Sequence, residues 1–142
     1  MFALFVLSIA CGAPDAPAAS SSAPSSEPAA AQSVESLIPG GQRIDDKLVV
    51  GGQPSQDALQ AYKDAGFTTI INLRTPGEMR FDEAGVVQGL GMTYVNIPVG
   101  GASDINPENA AKVQELIASS QGQVLLHCAS GNRVGQLRAV MN

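Results

Sequence analysis

Hydrophobic positions along the chain fall into three regimes. Residues 2–10, Phe-Ala-Leu-Phe-Val-Leu-Ser-Ile-Ala, form one short apolar run. Residues 12–33 are almost entirely Ala, Ser and Pro, with no recurring apolar stripe. From about residue 36, short β-rich runs alternate with segments whose apolar residues recur at helical spacing, and such alternation predicts an α/β fold with a mostly parallel central sheet flanked by helices.

The predicted elements follow in order. Residues 47–50 (Lys-Leu-Val-Val) read as a strand closed by Gly51 and Gly52. A helix opens at Pro54-Ser55, with Ser55 as its cap, and runs to about Ala65. Leu59 and Tyr62 lie on its inner face, and Gly66 ends it. Residues 67–73 are mostly β-branched or aromatic and read as a strong strand. A loop over 74–78 leads to a helix over about 81–90, then a strand over 92–99 and a flexible loop over 100–106. Asn106-Pro107-Glu108 places a capping side chain, Pro at the first helical position and an acid against the dipole. That helix runs to about Ser120 with Ala110, Val113, Leu116 and Ile117 on one face. Residues 123–127 form a short buried strand, and a last helix begins near Arg133 or Val134.

With 142 residues there is room for one domain and a tail. The chain has no Trp and only 4% aromatic residues, so its core must be aliphatic. Its formal net charge of -5 argues against a nucleic-acid partner, which requires a basic surface. A locally positive site for a small anion remains compatible with an acidic protein.

The apolar run is too short to span a bilayer and has the length of a signal-peptide core. It ends at Cys11-Gly12 and resembles a bacterial lipoprotein signal, in which the cysteine becomes the lipidated first residue. It departs from that pattern at Ser8 and in having no Lys or Arg before Cys11, and a plain cleaved signal peptide is the alternative. The expected organisation is a signal over 1–11, an Ala/Ser/Pro linker over 12–35 that lacks the apolar surface to fold, and a domain over 36–142. The expected location is the periplasm or cell envelope, with a membrane anchor on Cys11. Cys11 and Cys128 are the two cysteines; one belongs to the signal and the other to a site, so no disulfide is expected between them. The last helix stops after about ten residues without a cap, as a C-terminally shortened domain would.

The chemistry concentrates in His127-Cys128-Ala129-Ser130-Gly131-Asn132-Arg133. A strand ends there, a tight loop turns, and a helix starts. Backbone N–H groups of Ala129, Ser130, Gly131 and Asn132 can form an anion nest, and the helix N-terminus adds about half a positive charge. Gly131 permits a backbone conformation that a side chain would obstruct. Arg133 offers a two-pronged fork for phosphoryl oxygens. In that field the thiol of Cys128 is expected to ionise below the usual pKa of about 8.5, making it a nucleophile for a tetrahedral anion. His127, the sole histidine, is expected to orient the loop by hydrogen bonds and not to act as an acid or base.

Residues 42–138 resemble the phosphatase-like domain of the beta-lactamase-hydrolase-like family, a branch near the dual-specificity and tyrosine phosphatases. The resemblance rests on Gly51-Gly-Gln-Pro-Ser55, Gly66-Phe-Thr-Thr-Ile-Ile-Asn-Leu-Arg74 with Pro76-Gly-Glu78, Tyr94-Val-Asn-Ile-Pro98 and the residue 127–133 motif. It implies a dual-specificity-phosphatase-like three-layer fold and phosphoester hydrolysis through a phosphocysteine, with no metal or other cofactor. The implied partner is a phosphorylated substrate. The resemblance also implies a general acid in the loop after the Tyr-x-x-Ile-Pro strand. Asp104 is the only acid in 100–106; it is either that acid or a loop aspartate near a helix start. Arg74 and Glu78 form the next polar cluster and are placed to pair and brace the site, while Glu78, Asp82 and Glu83 are expected to lie on a solvated helix face. Two features depart from the tyrosine phosphatases: four residues, not five, separate Cys128 from Arg133, and Val134 stands where most have Ser or Thr. The shorter spacing is that of rhodanese-type sulfurtransferases. Sulfur transfer and non-catalytic anion binding are therefore the alternative functions.

Overall fold

The computed structural model describes residues 33–141. The expected signal, the lipidation site at Cys11 and most of the expected linker lie outside the described residues. Ser33 already belongs to the folded part. It precedes a single 3-10 turn, Val34–Leu37, and the Tyr62 hydroxyl donates to the Val34 carbonyl at 2.6 Å. Among the described residues no helix is long and apolar enough to cross a membrane.

Five strands form one sheet: β1 (Gln42–Arg43), β2 (Leu48–Gly51), β3 (Phe67–Asn72), β4 (Thr93–Asn96) and β5 (Gln123–His127), in the spatial order β1-β2-β5-β3-β4. Only β1 runs antiparallel; β2, β5, β3 and β4 pair in parallel. The chemical centre of the sheet is β5. Its Val124, Leu125 and Leu126 are fully buried, because a parallel strand covered on both faces has no solvent side. Period-two geometry sends Val124 and Leu126 to one face and Leu125 to the other.

Four helices cover those faces: α1 (Gln56–Asp64), α2 (Glu83–Gly89), α3 (Pro107–Ser119) and α4 (Asn132–Met141). α1 and α2 pack Leu59, Tyr62 and Val87 against Val49, Ile70 and Leu125. α3 and α4 pack Val113, Val134 and Leu137 against Val50, Ile71 and Leu126. Helices this short are marginal alone; burial of each large apolar side chain, worth roughly 1.5–3 kcal/mol, is what holds them. Their starts are set locally. Ser55 accepts the Ala58 N–H at 3.1 Å, Asp82 the Gly85 N–H at 2.9 Å and Asn106 the Asn109 N–H at 2.9 Å.

Predicted and observed elements agree in type and order, with three differences at the edges. β1 was not foreseen, since two exposed residues carry no alternation. β4 ends at Asn96 because Pro98 has no N–H to give, although the Ile97 and Val99 N–H groups still reach Asn72 and Leu73 of the β3 side at 2.9 Å each. α2 starts at Glu83 and not near Phe81, because Asp82 takes the capping position.

Candidate active site

β5 delivers His127 and Cys128 to the carboxyl end of the sheet, between β2 and β3. The Cys128 N–H donates to Gly51 at 3.2 Å and the Gln53 N–H to Ala129 at 3.1 Å. An isolated bridge joins Gly52 to Ser130. A Cβ on Gly52 would stand 2.9 Å from the Ala129 carbonyl oxygen, so Gly52 is what lets the loop lie against the end of β2. Gly131 then turns with φ +91°, and its N–H points back at the Cys128 sulfur, 3.0 Å away. The loop thus folds a backbone donor onto the buried thiol, which is 1% exposed, while Ala129, Ser130 and Asn132 stay exposed. Replacing Gly131 with Ala should cost about 1–2 kcal/mol from left-handed strain, since a Cβ there meets only ordinary contacts. Urea unfolding of the two proteins checks this, and an unchanged midpoint contradicts it.

α4 begins at Asn132 and carries Arg133 on its first turn. The guanidinium grips the Glu78 carboxylate with both terminal nitrogens: Nη1 to Oε2 at 2.8 Å and Nη2 to Oε1 at 2.5 Å. Glu78 sits in a 3-10 turn, Pro76–Glu78, and also accepts the Thr75 N–H and hydroxyl at 2.9 and 2.8 Å. Arg133 first, and Thr75 second, push the Glu78 carboxyl down to about 2. Glu78, and to a smaller degree Cys128, raise Arg133 in turn. With both terminal nitrogens on Glu78, the fork keeps a fixed direction.

The expected pairing of Arg74 with the Glu78 carboxylate is corrected. Arg74 donates Nη2 to the Glu78 backbone carbonyl and Nη1 to Gln53 Oε1 at 2.6 Å. It braces the turn from beneath and leaves the carboxylate to Arg133. Its Nε, buried, has no partner among the described residues.

Glu83 is a second correction. It is no solvated residue but 2% exposed, because the late start of α2 puts it four residues before buried Val87, on the inward stripe. Its Oε1 lies 2.5 Å from His127 Nε2. Its Oε2 accepts from Gln53 Nε2 at 2.8 Å and from Asn72 Nδ2 at 3.1 Å. Asn72 also reaches the Tyr94 hydroxyl at 3.1 Å and takes the Arg74 N–H at 2.8 Å. Burial raises the Tyr94 phenol. His127 Nδ1 faces the Cys128 carbonyl at 3.2 Å, so its place is under the loop. One polar layer therefore runs from the Cys128 carbonyl through His127, Glu83, Gln53 and Arg74 to the turn that holds Arg133.

Sequence reasoning did not single out Gln53, Thr75, Asn72 or Tyr94 as site residues. Gln53 alone carried a signal, a polar residue between a strand end and a helix cap. Asp104 lies in a 3-10 turn, Ala102–Asp104, where its Oδ2 accepts the Gly100 N–H at 2.9 Å. Gly100 abuts Thr75, which puts this loop beside the Arg133-holding turn; among the described residues Asp104 makes no hydrogen bond to the Cys128 loop. No three His, Cys, Asp or Glu side chains among the described residues group as metal ligands.

No family model matches the chain. Over 80 residues it is 36% identical to the Beta-lactamase hydrolase-like protein of Xylella fastidiosa strain Temecula1, and equally to that of strain 9a5c. This match takes in 53% of the chain and spans only 18% of those relatives' length. Among solved structures, a phosphatase candidate of the DUF442 group from Shewanella putrefaciens CN-32 superimposes with TM-score 0.61 at 27% identity, covering 77% of this chain and 75% of that one. A phosphatase candidate from Neisseria meningitidis z2491 gives 0.59 at 26%, covering 68% and 71%. TpbA of P. aeruginosa, solved in complex with pTyr, shares the fold at 17% identity with TM-score 0.60, over 74% and 62% of the chains. The chain thus has the mixed α/β fold of the dual-specificity and tyrosine phosphatase-like proteins.

Proposed function

We propose that this protein hydrolyses phosphoesters through a phosphocysteine on Cys128. The observation that carries the reading is the Gly131 N–H folded onto the Cys128 sulfur, 3.0 Å away, at the head of a helix that starts with a fixed arginine fork. The likeness to the Shewanella and Neisseria phosphatase candidates supports it.

In the first step the Cys128 thiolate attacks phosphorus, an S–P bond forms and the ester P–O bond breaks. Asp104 gives its proton to the departing oxygen. Loop amides and the Nε–H of Arg133 take up the charge on the equatorial oxygens. In the second step water attacks phosphorus, gives a proton to Asp104, and the S–P bond returns its electrons to sulfur. Val134 is buried in the core beneath the loop and has no hydroxyl to assist that departure. The second step is therefore slow, and an aryl phosphate should release a burst of about one leaving group per Cys128 before steady turnover.

Purified protein lacking residues 1–11 should hydrolyse an aryl phosphate, and Cys128→Ser should abolish both burst and turnover. Thiocyanate formation from thiosulfate and cyanide, with no phosphate release, would replace this reading with sulfur transfer, which the four-residue spacing from Cys128 to Arg133 favours. Retained phosphate binding without either activity would leave an anion-binding module.

A further inference from the structure

We propose that the cavity between β1, the Cys128 loop and α4 binds a small hydroxylated carboxylate, a sugar acid in chemical class, with Arg138 taking the carboxylate. The inference stands apart from the phosphocysteine reading. The cavity holds about 550 Å³, inside the range of roughly 300–1,000 Å³ that small-molecule sites occupy. Ser130, Gly131 and Asn132 form one wall of it, while Cys128 and Arg133 do not line it. It therefore shares a wall with the candidate active site and not a space. Four glycines, Gly40, Gly51, Gly131 and Gly135, keep it open. Backbone or packing accounts for three of them. Gly40 and Gly131 have φ +61° and +91°, and a Cβ on Gly51 would stand 2.4 Å from the Ile38 side chain. Gly135 has no such cause. It lies within α4, where glycine costs about 1 kcal/mol against alanine, and a Cβ there would meet nothing within 4 Å. The chain itself makes no use of that clearance; an occupant of the cavity does.

The polar groups around the cavity define the occupant's chemistry. Gln42 lines it from β1, and Asn132, Gln136 and Arg138 line it from α4. Among the described residues these four side chains have no hydrogen-bond partner, and Arg138 belongs to none of the ion pairs. The amides of Gln53, Asn72 and Asn96, by contrast, are all engaged. No carboxylate lines the cavity, in a chain of net charge -5, so Arg138 sets its sign. A single guanidinium balances a single negative charge. That selects a carboxylate, held by two parallel N–H bonds, over a phosphate dianion. Each of the three carboxamides offers both donors and an acceptor, the complement of hydroxyl groups. No aromatic side chain lines the cavity, which leaves a nucleobase or aryl ring no face to stack on.

Titration of the ¹⁵N-labelled protein with glucuronate tests this. Saturable shifts are expected at the Gly135 N–H and at the side-chain amides of Gln42 and Gln136. Arg138→Gln should weaken that binding about tenfold or more, since it removes charged hydrogen bonds. Gly135→Leu should abolish it by filling the cavity, while its helix propensity makes the protein harder to unfold. Glucose, which has the hydroxyls without the charge, and acetate, which has the charge without the hydroxyls, should both bind far more weakly. No saturable shift at millimolar glucuronate overturns the proposal. So do shifts confined to the Cys128 loop, an affinity that Arg138→Gln leaves unchanged, or equal binding of glucose or of acetate. The readout does not involve turnover: glucuronate binding in a protein that releases no phosphate supports this inference and counts only against the phosphocysteine reading.

Discussion

Arg133→Lys should lower kcat/KM for an aryl phosphate by about 10²- to 10³-fold, the range found when one oxyanion donor is removed. Lysine keeps the charge but is a point donor; it cannot hold Glu78 with two nitrogens and still present a third N–H in a fixed direction. In the native chain both contacts to Glu78 are 2.8 Å or less, so the fork is aimed before substrate arrives. Steady-state assays of folded variant and parent measure the effect, and a loss below threefold would show that Arg133 does not take up phosphoryl charge. The same pair has a stability signature with a definite sign. The folded Glu78 carboxyl lies at about 2, below its ordinary 4.5. Its stabilisation is therefore complete above about pH 4.5 and is lost as the pH falls toward 2. The stability gap between Arg133→Lys and the parent should narrow across that window and stay constant above it.

Glu83→Ala should lower stability by about 3–5 kcal/mol, because it leaves the buried His127 imidazole, the buried Asn72 amide and the half-buried Gln53 amide without their shared carboxylate. Gln53 Nε2 keeps only the Pro54 carbonyl, at 3.0 Å, and His127 loses its sole carboxylate. For a domain of this size that corresponds to a fall in melting temperature of roughly 10–30 °C. Glu108 offers the contrast: it pairs with Lys112 one helical turn away on the surface at 2.9 Å, and its removal should leave the transition where it is. Thermal unfolding by circular dichroism compares the two. A small loss at Glu83 would mean that water replaces the carboxylate and that the layer under Cys128 is not dry.

Linear pattern alone determined the order and type of the main elements, because their causes are local. Ser55 and Asn106 cap their helices by reaching three residues along the chain, and the apolar run 124–126 has no polar alternation to expose. The strand–Cys128–Gly131–Arg133 stretch was legible for the same reason: nucleophile, turn residue and fork are contiguous. Partners far apart in sequence were decided only by the packed sheet. Glu78 meets Arg133 across 55 positions and Glu83 meets His127 across 44, and neither separation leaves a periodic trace. Pattern reading put Glu83 in water because acids usually belong there. Tertiary structure put it inside because capping by Asp82 set the phase of α2, and a buried imidazole with two amide donors supplied the hydrogen bonds that water would otherwise have made.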